Sequence, residues 1–233
     1  MQSDHAHFLR CLEALKESSF FEQMDTISLK ELLANMSLNY WNKGTFKDSL
    51  DSQFNFIVSG RLKIYQSNPK TGREHTIFLL TSGDVFDIIG LMDREHHDVY
   101  WEAIETLEIL TLPIEQMRCW VDKNPSMHQH ILSYLGKRIR QLEHAKTDIS
   151  LYTALVRLAQ LLLQNIDVHS QELNTIKDLP NDEIASLIGT TGAVVNRHLQ
   201  ELKKCGAISL KRREIVINNI QLLLSIAEDK YIP

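Results

Sequence analysis

Residues 182–208 read DEIASLIGTTGAVVNRHLQELKKCGAI, and the spacing inside this stretch decides the C-terminal architecture. Asn181, just before it, can accept from the free N–H groups of a helix start, with Asp182 and Glu183 in the first turn. Ile184, Leu187 and Ile188 form that helix's inner face, and Gly189 ends it. Thr190 or Thr191 caps a second helix, which Gly206 closes. Val195, Leu199 and Leu202 fall on one face of this second helix; Gly192, Ala193, Asn196, Arg197 and Gln200 fall on the other. Two short helices joined by a tight glycine-containing turn form a helix-turn-helix. The following AISLKRREIVINN (207–219) is two short β-runs joined by the basic turn Lys211-Arg212-Arg213, which makes the module winged.

The charge distribution points the same way. The chain of 233 residues has a formal net charge of −5. Residues 190–217 carry six cations against two anions, and the rest is strongly acidic. One basic patch on an acidic protein is the footprint of a phosphate-binding surface. Thr190, Thr191 and Gly192 place free N–H groups and a small residue where a DNA backbone approaches. Arg197 suits guanine O6/N7, Asn196 suits adenine or a phosphate, Gln200 extends the same face, and Ala193 suits a thymine methyl. Lys211, Arg212 and Arg213 can neutralise phosphates. The alternative for the same face is a protein-docking module that has lost DNA binding.

Working outward, residues 1–37 read as helical, with Phe8, Leu12 and Leu15, then Leu29, Leu32, Leu33 and Met36, at three- and four-residue steps. Residues 38–113 hold about eight short β-rich runs punctuated by turn residues, as in a jelly roll. Asn68-Pro69-Lys70-Thr71-Gly72 is a hairpin loop. From Pro125, Leu132, Leu135, Ile139, Leu142 and Ile149 mark a seam about three heptads long, either a two-stranded coiled coil or a helix packed on its own domain. A further helix follows in 151–166, then a polar loop or short hairpin (167–178). The expected class is α+β: a roll domain over 1–124, a dimerisation helix over 125–150 and a winged helix-turn-helix over 151–233.

Several function classes drop out. No apolar run approaches the ~18 residues of a bilayer span, and the N-terminus lacks an apolar signal core, so a cytoplasmic protein without membrane contact is expected. Cys11, Cys119 and Cys205 are far apart, which excludes a thiolate zinc site or four-cysteine cluster within one chain. No phosphate loop, nucleophile elbow or His-Glu-x-x-His is present, so no catalytic residues are assigned and the chain is not expected to be an enzyme. His96-His97-Asp98, with Asp93 and Glu95, lacks metal-ligand spacing, so no metal site is assigned. Phe78, Phe86, Ile88, Tyr100 and Trp101 suggest either an apolar effector crevice or simple packing of the roll.

This order of parts resembles the cyclic-AMP-receptor and fumarate–nitrate-regulator (Crp/Fnr) family of bacterial transcription regulators. The resemblance is carried by FIVSGRLKIY (56–65), LLTSGDVF (79–86), VRLAQLLL (156–163) and the 182–208 stretch. It implies a homodimer, paired through about residues 127–150, that reads a palindromic operator in double-stranded DNA and works with RNA polymerase. It also implies a roll that senses a small-molecule or gas effector.

The departures from the family pattern are informative. Cyclic-AMP binders carry a Gly-Glu pair after the roll's Gly-Asp and an Arg-Ser or Arg-Thr pair about ten residues on. Here Ile88 stands at the Glu position, and Asp98 and Val99 at the Arg and Ser positions. This argues against cyclic AMP as the effector. The cysteine group of the iron–sulfur sensors is missing, with only Cys11 near the N-terminus. The Cys and His of carbon-monoxide sensors are replaced by Phe86-Asp87-Ile88-Ile89. A haem held by other residues, such as His75, His96, His97, His128 or His130, and a redox or gas sensor of the same fold stay open. Many relatives show Arg-Glu or Val-Glu where Gly192-Ala193 stands, so the operator is expected to be related but distinct.

Overall fold

Asp25 opens a helix because its carboxylate accepts from the N–H groups of Ile27 and Ser28, both at 2.9 Å. That cap separates α1 (Gln2–Glu17) from α2 (Thr26–Ala34), so the N-terminal helical run is broken at 18–25. The computed structural model describes residues 2–22, 24–50, 52–95, 97–167, 172–211 and 214–230. These fall into two compact units, one of residues 1–66 and 77–139, the other of 67–76 and 140–233.

Among the described residues eight strands follow the helices: β1 (Ser37–Trp41), β2 (Phe46–Lys47), β3 (Gln53–Ser59), β4 (Leu62–Ser67), β5 (Glu74–Leu80), β6 (Val85–Phe86), and, after α3 (Ile88–Asp93), β7 (Tyr100–Ala103) and β8 (Leu107–Pro113). They make two four-stranded sheets, ordered β1-β8-β3-β6 and β2-β7-β4-β5. The expectation of about eight strands closing into a roll is met.

The run Phe54–Val58 is almost continuously apolar because β3 is covered on both faces. Phe54, Phe56 and Val58 pack with the helices, against Leu15, Phe20, Phe21 and Leu29; Ile57 points into the roll with Leu62, Ile64, Phe86 and Trp101. Gly60 (φ +96°) follows this strand. A Cβ there would lie 2.6 Å from the Thr106 carbonyl oxygen, so the turn admits only glycine. Asn68 shapes the β4–β5 loop by accepting from the N–H groups of Lys70 and Thr71, and Gly72 takes φ +66°.

Then come α4 (Ile114–Lys123) and the 25-residue α5 (Met127–Leu151). Met127, Ile131 and Tyr134 of α5 are buried in the helix-side core. Tyr134 donates to the Val85 carbonyl at 3.1 Å, and burial, the main cause, pushes its hydroxyl up to about 12, so it stays a donor.

In the second unit lie α6 (Ala154–Gln164), α7 (Asn181–Ile188), α8 (Gly192–Lys204), β9 (Ile208–Lys211), β10 (Glu214–Ile217) and α9 (Ile220–Ala227). Its core is built from Val156, Leu158, Leu162, Ile184, Val195, Leu199, Leu202, Ile208, Leu223 and Ile226. One detail corrects the sequence reading. Pro180, not Asn181, is the N-cap of α7, because the Ile184 N–H already bonds the Pro180 carbonyl at 3.1 Å. Asn181 is therefore the first helical residue and its side chain makes no cap. Gly189 ends the helix at φ +68°, as its lack of a Cβ allows. Beyond α6, Ile166 and Leu173 pair in an isolated antiparallel bridge.

Candidate functional site

Thr191 caps α8, its hydroxyl accepting from the Val194 N–H at 3.4 Å. Thr190 is half-buried, and its N–H bonds the Ala185 carbonyl at 2.9 Å. Val195, His198, Leu199 and Leu202 turn inward; Thr191, Ala193, Asn196, Arg197 and Gln200 are exposed. The amphipathic split read from the sequence is present, with one addition. His198 belongs to the buried face and is 9% exposed. The spacing 195-198-199-202 carried that signal, but polarity hid it.

Gly192 is approached closely, by the chain itself: a Cβ there would stand 2.0 Å from a carboxylate oxygen of Asp182. Arg197 is 64% exposed at the side chain and paired with Glu201, Nε to Oε1, at 3.9 Å. The β9–β10 hairpin sets Lys211 opposite Glu214, with Lys211 exposed. Arg212 and Arg213, the expected tip of the wing, lie outside the described residues.

On α5, Leu132, Ile139, Leu142 and Ile149 are 67, 56, 43 and 41% exposed. Leu135 is partly buried against the roll's helix-side core. Four of the five seam residues thus form an uncovered apolar stripe along one helix.

Within the first unit a cavity of about 580 Å³ is lined by residues including Asp87, Gly90, Arg94, His97, Trp101 and Arg118. Asp87 sits at φ +60° ahead of α3, and its Oδ1 lies 3.6 Å from His97 Nδ1. Among the described residues neither atom has a hydrogen-bond partner, nor does the Trp101 indole N–H, and all three are buried. Arg118 donates to the carbonyls of Gly90 and Leu91 and pairs with Glu115.

Residues 156–226 match the Crp-like helix-turn-helix domain, and residues 46–124 match the cyclic nucleotide-binding domain. The chain belongs to the Crp/Fnr family. Among similar proteins, the CRP-like cAMP-activated global transcriptional regulator of Mycobacterium tuberculosis is 26% identical over 171 residues, covering 72% of this chain and 76% of that one. A global nitrogen regulator of Synechocystis is 26% identical over 170 residues, covering 70% and 75%. Among solved structures, FixK2 of Bradyrhizobium japonicum superposes with a TM-score of 0.71 at 21% identity, covering 82% of this chain and 96% of that one. This Crp/Fnr chain is therefore a DNA-binding transcription regulator.

The residues expected to line an effector crevice in this Crp/Fnr regulator are dispersed. Trp101 lines the cavity, while Phe86 and Ile88 sit in the two separate cores. Tyr100 stacks with Phe46 and Tyr65 at 5.4 and 5.5 Å. Phe78 lies under the Arg138 guanidinium, which also pairs with Asp84. At the family's ligand positions, Ile88 and Val99 are buried and Asp98 is exposed.

No helix of the described residues is long and apolar enough to cross a membrane, and no three His, Cys, Asp or Glu side chains among them gather as a metal site. His75 and His128 are exposed, and His96 lies outside the described residues.

Proposed function

We propose that this regulator works as a homodimer that reads a palindromic operator with paired α8 helices and recruits or obstructs RNA polymerase there. The reading places Thr190, Thr191, Gly192, Ala193, Asn196, Arg197 and Gln200 at the DNA, and Lys211, Arg212 and Arg213 on its phosphates. The observation that carries it is the outward polar face of α8, with Arg197 64% exposed on a helix whose other face is core. The apolar stripe on α5 supports pairing of two copies, since such a stripe on a charged helix is otherwise left in water.

A salt titration separates this from a protein-docking module. Affinity for duplex DNA should fall linearly on a log–log plot as salt rises, losing about 10³-fold or more between 50 and 200 mM if six or more phosphates are contacted. Binding indifferent to salt, or no binding to duplex DNA at all, contradicts the assignment.

We further propose that the effector is not cyclic AMP. Ile88 is buried among apolar neighbours and offers no acceptor for a ribose hydroxyl. Asp87 brings a carboxylate to the cavity, and the guanidinium of Arg118 is committed to two carbonyls and Glu115. A carboxylate and a phosphodiester about 4 Å apart repel by roughly 1 to 4 kcal/mol between bulk water and a protein surface. Titration calorimetry with cyclic AMP is expected to give a Kd of about 1 mM or weaker. Micromolar binding would overturn this part of the proposal and leave the DNA-binding part standing.

A further inference from the structure

Position 193, at the start of α8, is alanine and brings no carboxylate to Arg197. Arg197 is nevertheless held. Glu201, one turn further on, reaches back with Oε1 to Arg197 Nε at 3.9 Å and with Oε2 to His198 Nδ1 at 2.7 Å. The other nitrogen of the same imidazole, Nε2, lies 3.4 Å from Arg197 Nη2.

The three contacts fit one protonation pattern. A carboxylate beside Nδ1 favours the tautomer with its proton there, which leaves Nε2 as a lone pair able to accept from the guanidinium. The ring cannot easily swing away, because His198 is packed on the buried face of α8 with Val195, Leu199 and Leu202. Arg197 Nε and one Nη2 hydrogen thus face the helix. One Nη1 hydrogen and the second Nη2 hydrogen form the end-on edge that a guanine takes bidentately.

We infer that Glu201 and His198 are positioning residues for Arg197: Glu201 fixes the imidazole, and the imidazole and carboxylate together aim the guanidinium at a base. The inference rests on Arg197 reading a base. It adds that its selectivity at that base depends on two residues that touch no DNA.

Charge alone predicts the opposite of positioning. Glu201 is an anion on a surface that meets phosphates, so its removal should leave non-specific binding unchanged or stronger. If it positions Arg197, the same change weakens discrimination.

The test measures binding of the full-length protein to its selected operator and to operators substituted at each base pair. Wild type, Arg197→Ala, Glu201→Ala, Glu201→Gln, His198→Leu and Arg197→Ala/Glu201→Ala are compared, with non-specific duplex as reference. Glu201→Ala and His198→Leu are expected to lose roughly fivefold discrimination, at the base pair that Arg197→Ala relaxes and nowhere else. Glu201→Gln, which keeps an acceptor, should recover part of it. In the Arg197→Ala background, Glu201→Ala should change nothing further. The inference alone is overturned if Arg197→Ala relaxes one base pair while Glu201→Ala leaves discrimination intact or shifts all sequences equally. If Arg197→Ala itself leaves every base preference unchanged, the base-reading assignment falls and this inference with it.

Discussion

Replacing Ile139 and Leu142 together with glutamate is expected to turn the protein monomeric and to lower operator affinity at least about a hundredfold. Both side chains are largely exposed in the single chain, at 56 and 43%, so the change removes little from its own core. In a paired helix they lie on the a/d seam, where burying each is worth about 1.5–3 kcal/mol. Four such side chains in a dimer therefore supply several kcal/mol, and four carboxylates in their place add repulsion. A monomer keeps one recognition helix and loses the second contact, whose contribution in the dimer is intramolecular and multiplies affinity by about 10²–10⁴. Sedimentation velocity and gel shift read the two effects, with a melting curve to show that the fold survives. A dimer of unchanged stability would move the pairing surface elsewhere.

Arg197→Ala is expected to cost about 1–3 kcal/mol at each half-site and to relax preference at a single base pair, since a bidentate arginine–guanine contact is both strong and directional. With two half-sites in the operator, the loss compounds to about 2–6 kcal/mol, roughly 30- to 20,000-fold in affinity for the symmetric site. The pattern matters as much as the size. Lys211→Ala, removing an exposed cation from each of the two hairpins, should weaken all sequences alike and flatten the salt slope by about two, one per half-site. Competition gel shifts against singly substituted operators distinguish the two. An Arg197→Ala protein with the wild-type preference at every position would remove Arg197 from the base-reading set.

The parts of this molecule that were legible in its sequence are those where one periodicity rules. The α7–α8 pair shows itself because each helix has a single buried face, and the glycine between them takes a backbone conformation other residues avoid. The roll is visible as short runs with turn residues, but Phe54–Val58 does not reveal which residue faces which side, because both sides of β3 are apolar. The sequence points to a start of α7 one residue too late, because Asn181 has the right chemistry for a cap while Pro180 has the right backbone.

The cavity beside α3 is the least legible feature. Among the described residues, its buried polar atoms without a hydrogen bond come from Asp87, His97 and Trp101, which lie far enough apart in the chain that the fold of α3 and the sheets has to bring them together. Of the residues expected to line it, the roll places Ile88 in one core, Phe86 and Trp101 in the other, and Tyr100 in a stack with Phe46 and Tyr65. His198 escaped notice for a related reason: its spacing marks it as buried, and its polarity conceals that until Glu201 is seen as its partner.

The most direct measurement is selection of duplexes by the purified protein from a random library, followed by sequencing. A two-fold symmetric consensus is expected, with half-sites centred about one helical turn, 10–10.5 base pairs, apart and bound by one dimer. A consensus with a single unrepeated half-site, or no enrichment over the starting library, would contradict paired recognition by α8.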